Sequence, residues 1–346
     1  MEVSIGMVHY SKDKLNLSLI LCLGGLNNPK GYRATINSYQ YGDAIAISRI
    51  ARLAGHFNLA KVYREKAESL KNRVEEVLWD PVDSFFKVLP RDPKGNHSRL
   101  VDVRELHGYT PWYFNLPSIN KSIAWEQLMD GKGFKAKYGF TTAEQRHPKF
   151  QLSYKDHECQ WNGPVWPYAT SVTMTAMANL LNNYDQKYIT KLDFFTALKT
   201  YAYSHHRKVE NSTLEVPWID ENQHPYTGDW ISRSRLRIWV NGTWSAEKGG
   251  KERGKDYNHS TFVDLIISGL IGLRPRVRDE VLISPLIPEG VWEYFALHNV
   301  EYHGRLLTII WDATGEKFHL GRGLTVFVNG QLRASVNRLQ RMRVSL

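Results

Sequence analysis

Three loop segments carry side chains whose types and spacing could do chemistry together. In the stretch from Pro217 to Trp230, two adjacent carboxylates, Asp220 and Glu221, stand between Trp218 and Trp230 with no amphipathic period around them. A carboxylate so placed can take a proton from water. Adjacent side chains point apart, so one can face a cleft while the other orients loop backbone. In Glu158–Pro167, the run Trp161–Asn162–Gly163–Pro164–Val165–Trp166 sets an amide between two indoles at a helix start, with Gly-Pro turning into its first position. Indole faces suit the flat C–H faces of a sugar, and the amide suits its hydroxyls. The third segment, Tyr257–Asn258–His259–Ser260–Thr261–Phe262, leads into an apolar run. Tyr257 and His259 can line the same cleft, while Asn258 or Ser260 can cap the helix that follows. Arg104 and Glu105, with Asp102 nearby, add charged candidates in a fourth loop. Each also has a plain structural reading: a solvated acidic pair, core tryptophans, a helix cap, a surface cluster.

The elements that must hold these loops are mostly helical. Asn37 to Ala54 places Tyr41, Ile45 and Ile50 to Leu53 near helical spacing and ends at Gly55. Ala60 to Leu78 carries Val62, Tyr63, Ala67, Leu70, Val74 and Val77 on one face against a Lys/Arg/Glu-rich back, so the two predict a helical hairpin. A short hairpin-like piece over Ser84–Leu89 follows. Pro164–Asn182, Asp193–His206 and Ser260–Leu273 read as further helices, separated by long loops at 91–117, 133–164, 211–234 and 240–259. Loops of that length inside a domain are usually functional. After Pro285 the pattern shortens to Ala296–Val300, Leu306–Trp311, Leu324–Val328 and Gln331–Ser335, with Asn329-Gly330 as a two-residue hairpin turn.

Composition narrows the function classes. The 346 residues hold 42% hydrophobic and 23% charged side chains, enough for a packed core. The aromatic content, 11 Trp, 18 Tyr and 13 Phe, fits either a large core or a carbohydrate site. A net charge of +10 raises nucleic acid, but the basic residues are dispersed and no nucleic-acid motif accompanies them, so a solvated basic surface is expected. Cys22 and Cys159 cannot build a disulfide framework, and the 13 histidines show no metal-ligand spacing. No metal and no organic cofactor are expected. Leu15–Leu26 is too short to span a membrane, lacks a clear cleavage site, and leaves localisation open.

Taken in order, the three loops resemble the catalytic half of the inverting six-hairpin glycosidases related to glycoside hydrolase families 63 and 37, nearest their mannosylglycerate-hydrolase-like branch. Trp161 to Trp166 resembles the family's W-R-G-P-V-W segment, Glu221 to Gly228 its E-x-x-x-P-x-T-G loop, and Tyr257 to Gly269 the helix that closes its barrel. The resemblance implies a mainly α fold, part of an (α/α) six-hairpin toroid over 31–285, followed by a small antiparallel β domain at 286–346. It implies a glycoside hydrolase with a carbohydrate substrate and Glu221 as general base. The substrate-binding set is then Trp161, Asn162, Trp166, Trp218, Asp220, Tyr257, His259, Arg104 and Glu105. The family's acid lies upstream in a G-M-D-like loop, which puts Glu2 in its place and implies an N-terminally truncated chain with an atypical segment at 1–30. Two other readings stay open: a truncated barrel that binds glycan without turnover, and a related phosphorylase in which phosphate replaces water.

Overall fold

The computed structural model describes residues 17–18, 31–90, 99–152, 161–209, 211–231, 256–257 and 261–346. Within residues 1–30, β1 (Leu17–Ser18) pairs antiparallel with β2 (Gly31–Tyr32), which in turn pairs with Leu89–Pro90. Helices α1 (Ala34–Leu53) and α2 (Phe57–Leu78) then form the expected hairpin. Its turn is a Schellman motif. Gly55 takes φ 81°, its N–H donates to Arg52 O, and the His56 N–H reaches back to Ala51 O. The buried stripe of α2 runs through Ala60, Ala67, Leu70, Val74 and Leu78. Val62 therefore falls beside the stripe and is 46% exposed, contrary to the face expected for it.

The chain next folds a small hairpin, β3 (Trp79–Asp80) with β4 (Phe85–Phe86), and then β5 (Leu89–Pro90). Asp80 holds the hairpin turn by accepting from the Val82 and Asp83 N–H groups. The short helix α3 (Thr110–Tyr113) follows, then the ribbon β6 (Lys135–Ala136) and β7 (Gly139–Phe140). Helix α4 (Pro167–Asn183) starts with Pro at its first position, where a missing N–H costs nothing. It buries Ala169, Thr173, Ala176, Met177 and Leu180, packs against α3, and is flanked by α5 (Lys191–Tyr203). Helix α5 opens with a capping box between Thr190 and Asp193. After the ribbon β8 (His206–Lys208) and β9 (Glu215–Pro217), helix α6 (Thr261–Asp264) continues as a π-helical segment, Leu265–Ile271, against α4.

Two antiparallel sheets close the molecule. β10 (Leu273–Arg274), β11 (Glu280–Ile283) and β16 (Met342–Ser345) form one, in the order β10-β11-β16. β12 (Tyr294–Tyr302), β13 (Arg305–Asp312), β14 (Gly323–Val328) and β15 (Gln331–Val336) form a meander. All four strands expected after Pro285 are present, and Asn329 and Gly330 take φ 50° and 76°, as a two-residue hairpin turn requires. The strands begin earlier than residue 286, because Leu273–Arg274 leaves the π segment directly into the first sheet.

That exit turns on Gly272. It sits at φ 84°, and a Cβ built there would lie 2.1 Å from the backbone oxygen of Ser284, which also donates its N–H to Gly272 O. Gly272→Ala combines a left-handed φ with a clash against backbone that cannot swing away. It is expected to cost about 2–3 kcal/mol of stability, measured by urea unfolding, whereas Gly290→Ala, with open space around it, loses less.

Candidate functional site at the head of helix α4

The loops singled out by sequence lie side by side as a stepped ladder of short antiparallel bridges. Glu105 bridges Ala143, Thr141 bridges Val165, Val165 bridges Gln223, and Gln223 bridges Trp230. The central step is a full exchange: Val165 N–H donates to Gln223 O at 2.9 Å, and Gln223 N–H returns to Val165 O at 2.8 Å. Beside it, the Thr142 hydroxyl accepts from Gly163 N–H at 3.0 Å and donates to Pro164 O at 3.1 Å. Antiparallel pairing at Val165–Gln223 runs the chain from Gln223 back toward Glu221 alongside Trp166 and Pro167. Glu221 is thereby carried to the N-terminal end of α4, where the helix dipole favours negative charge.

Glu221 is half-buried, and its N–H donates to Asp220 Oδ1 at 2.7 Å. Asp220 is buried, and this bond ties its carboxylate to the loop backbone. Trp218, Ile219 and Trp230 form a small core beneath them. The Arg207 guanidinium lies 4.3 Å from the Trp218 ring, and Trp230 Nε1 donates to His206 O.

The tryptophans of the first motif point inward. Trp161 and Trp166 are 4% and 2% exposed and stack on each other at 4.3 Å between ring centroids. His107 stacks on the far face of the pair, 4.4 Å from Trp161, and Tyr257 meets Trp166 edge-on at 6.0 Å. This column braces the head of α4. Asn162 is also buried, with Oδ1 meeting no donor among the described residues.

Arg104 is held by charge. It reaches Glu144 at 2.9 Å and Asp83 at 3.1 Å, and Asp83 and Asp80 both pair with the buried Lys87. Burial pushes the Asp80 carboxyl up, but the Lys87 ammonium and two backbone N–H groups outweigh it and hold the carboxyl below its ordinary value. Glu105 is buried one residue on, beside His107. Glu2 and His259 lie outside the described residues.

The open surface along α4 is made by residues that sequence reasoning did not single out. A cleft of about 280 Å³ runs down one face of α4, lined by Tyr39, Tyr113, Tyr168, Ser171, Thr175 and Asp264 among others. Tyr168, Ser171, Val172 and Thr175 follow one another at helical spacing and start next to Pro167. The Tyr39 and Tyr168 hydroxyls bond at 2.8 Å, and burial followed by that bond raises the Tyr39 hydroxyl well above its ordinary value. The available signal was the polar interruption at Thr170–Ser171 and Thr173 within an otherwise apolar helix. Among the described residues no group of three or more His, Cys, Asp or Glu could hold a metal ion, and no helix is long and apolar enough to cross a membrane.

Residues 23–260 match the Mannosylglycerate hydrolase MGH1-like glycoside hydrolase domain. Residues 274–332 match the C-terminal domain of glycosyl hydrolase family 65. The first match covers more than half of the chain, and the chain belongs to the MGH1-like glycoside hydrolase family. Among solved structures it is similar to a chain named "Sialidase", at 42% identity and TM-score 0.80, over 91% of this chain. It spans 27% of that longer protein. A GH63 mannosylglycerate hydrolase from Thermus thermophilus, solved with glucose, is 18% identical over 58% of this chain and 44% of its own, with TM-score 0.42. An uncharacterized conserved protein from the same organism is 17% identical over 58% and 45%, with TM-score 0.44.

His107 gives this region a pH signature. The residue as a whole is only half-buried, but Nε2 is closed off from solvent with no partner among the described residues. Burial, with the Arg33 charge second, lowers the imidazole from 6.5 to about 3. The unfolded chain therefore binds a proton below about pH 6.5 that the folded one refuses. The associated stability is complete above that pH and falls as pH drops toward 3, by at most about 1.4 kcal/mol per pH unit. With the partial exposure discounted, moving from pH 7 to pH 5 is expected to cost roughly 1 kcal/mol through this residue. His107→Phe keeps a ring against Trp161 and should flatten that part of the pH dependence in urea unfolding.

Proposed function

We propose that this chain is the Glu221-bearing part of a glycoside hydrolase that cleaves an O-glycosidic bond with inversion. Glu221 is the general base: it deprotonates a water that attacks the anomeric carbon from the face opposite the leaving group. The observation that carries the reading is the Val165–Gln223 exchange, which brings the Glu221 segment alongside the head of α4; the hydroxyl-lined cleft begins at Tyr168 on the same helix. Tyr39, Tyr168, Ser171 and Asp264 offer that cleft the donors and acceptors that sugar hydroxyls need. Membership of a glycoside hydrolase family supports the same chemistry.

Protonation of the leaving oxygen falls to a second carboxyl across the scissile bond. Inversion needs the two groups roughly 6.5–9.5 Å apart, which leaves room for the water. Glu2 is the residue that the sequence resemblance assigns to this role. The helical hairpins α1/α2 and α4/α5 are read as units of an (α/α) six-hairpin toroid, with α4 turned toward its axis. Mannosides, mannosylglycerate first, are the substrates to test, as the family description suggests.

Glu221→Gln keeps the shape of the side chain and removes its basicity. It is expected to lower kcat by about 10²–10⁴-fold while glycan binding, followed by calorimetry, is retained. Wild-type turnover, followed by NMR of the first-formed product, should give the anomer opposite to that of the substrate. Undiminished turnover by the Gln variant would overturn the role of Glu221. Turnover that requires inorganic phosphate would move the reading to a phosphorylase.

A further inference from the structure

At the other end of α4, three arginines from two separate segments converge. Arg274 ends β10, Arg276 lies two residues on, and Arg341 directly precedes β16. With Asn115, Asn182 and Asn183 they line a cleft of about 250 Å³ between the C-terminal turn of α4 and the first β sheet. Arg274 is the anchor, donating through Nη1 to Asn179 Oδ1 at 3.1 Å and through Nη2 to Ala178 O at 3.4 Å.

Capping the helix end explains part of this cluster. The C-terminus of a helix carries about −0.5 of an elementary charge, and Arg274 alone more than balances it. Three guanidiniums leave a surplus of roughly two positive charges. Among the described residues no carboxylate lies within ion-pair distance of any of the three. Nε of both Arg274 and Arg276 is buried and meets no acceptor among the described residues. Burial first, and then the charges of Arg276 and Arg341, lower the Arg274 guanidinium from its ordinary value, so the three cations sit close enough to repel one another. Like charges gathered around a cavity, with donors unspent, describe a receptor for the opposite charge.

The geometry points to a second, non-catalytic site here, binding a small oxyanion, a carboxylate or phosphate group carried on a hydroxylated skeleton. The planar forks of arginine match two-oxygen anions, and the asparagine amides suit neighbouring hydroxyls. Asn183 donates to Asn115 Oδ1 at 2.7 Å, and both residues line the cleft. Arg274 also lines the far end of the α4 cleft, so the two spaces meet at its guanidinium, while the Glu221 loop belongs to the opposite end of the helix. Helix α4 has 17 residues, so its ends lie about 25 Å apart at 1.5 Å per residue.

The test is calorimetric titration of the full chain with inorganic phosphate, D-glucuronate and D-glucose, at constant ionic strength set with sodium chloride. Saturable binding of phosphate, of glucuronate, or of both is expected, with any glucose heat unchanged in Arg341→Gln; which anion binds separates the phosphate source from the carboxylate source. Arg276→Gln and Arg341→Gln should each weaken that binding about tenfold or more. Arg341 is exposed, so its variant keeps the fold even if the Arg276 variant does not. Glu221→Gln should bind the anion like the wild type, which separates this site from the hydrolase reading. No saturable heat with either anion, or equal affinity in a folded Arg341→Gln variant, would overturn the proposal.

Discussion

The exchange of two hydrogen bonds between Val165 and Gln223 is the constraint on which the rest of the site depends. Both residues are buried, as are Thr141, Thr142, Asn162 and Asn222 around them. A buried backbone N–H or C=O left unpaired costs about 1–3 kcal/mol, and long irregular loops carry many such groups. The ladder solves this without regular strands, since each loop supplies one or two residues to the next. Its by-product is positional: a carboxylate-bearing loop cannot shift relative to the head of α4 without breaking several bonds at once.

Charge and aromatic packing secure the outer rungs. Lys87, Asp83, Arg104 and Glu144 form a chain of ion pairs with its Lys87 and Glu144 ends buried, and desolvation is costly there, so each member is held by the others. Loss of one partner would strand a charge, which makes the 101–106 loop stiff. On the inner side the His107–Trp161–Trp166 stack fills the space under the helix start. Aromatic residues in a glycan-binding motif suggest rings waiting for sugar. Here the low exposure of these rings assigns them to holding the loop, and leaves the tyrosines and hydroxyls of α4 facing the cleft.

What was legible in the sequence follows from how local each signal is. The α1/α2 hairpin, α4, α5 and the four-stranded meander rest on periodicity, Gly55 and Asn329-Gly330, all readable within a few residues. The Glu221 loop was readable because its motif is continuous. The tyrosine cleft was not, because Tyr39 and Tyr168 are 129 positions apart and meet only through tertiary packing. Arg274, Arg276 and Arg341 were hidden for the same reason, since two β strands must pair before they share a cavity. Val62 shows a smaller limit: a helical stripe read by eye runs a residue wide of the true one.

The segment from Thr261 to Arg274 ties the two ends of α4 together. At its start the Thr261 hydroxyl donates to Ser171 Oγ at 2.8 Å, one turn below the helix head. Ser171 in turn bonds Tyr201, whose hydroxyl reaches Pro167 O. At its end Arg274 grips Asn179 and Ala178. Between these points the backbone is π-helical, a wider and less stable winding than the α-helix that is found mostly at functional sites. Gly269 packs so closely on Phe194 that a Cβ would come within 2.9 Å of the ring, so the segment approaches α5 as nearly as a glycine allows. The segment is thereby fastened to α4 near both ends, at Ser171 by Thr261 and at Ala178 and Asn179 by Arg274.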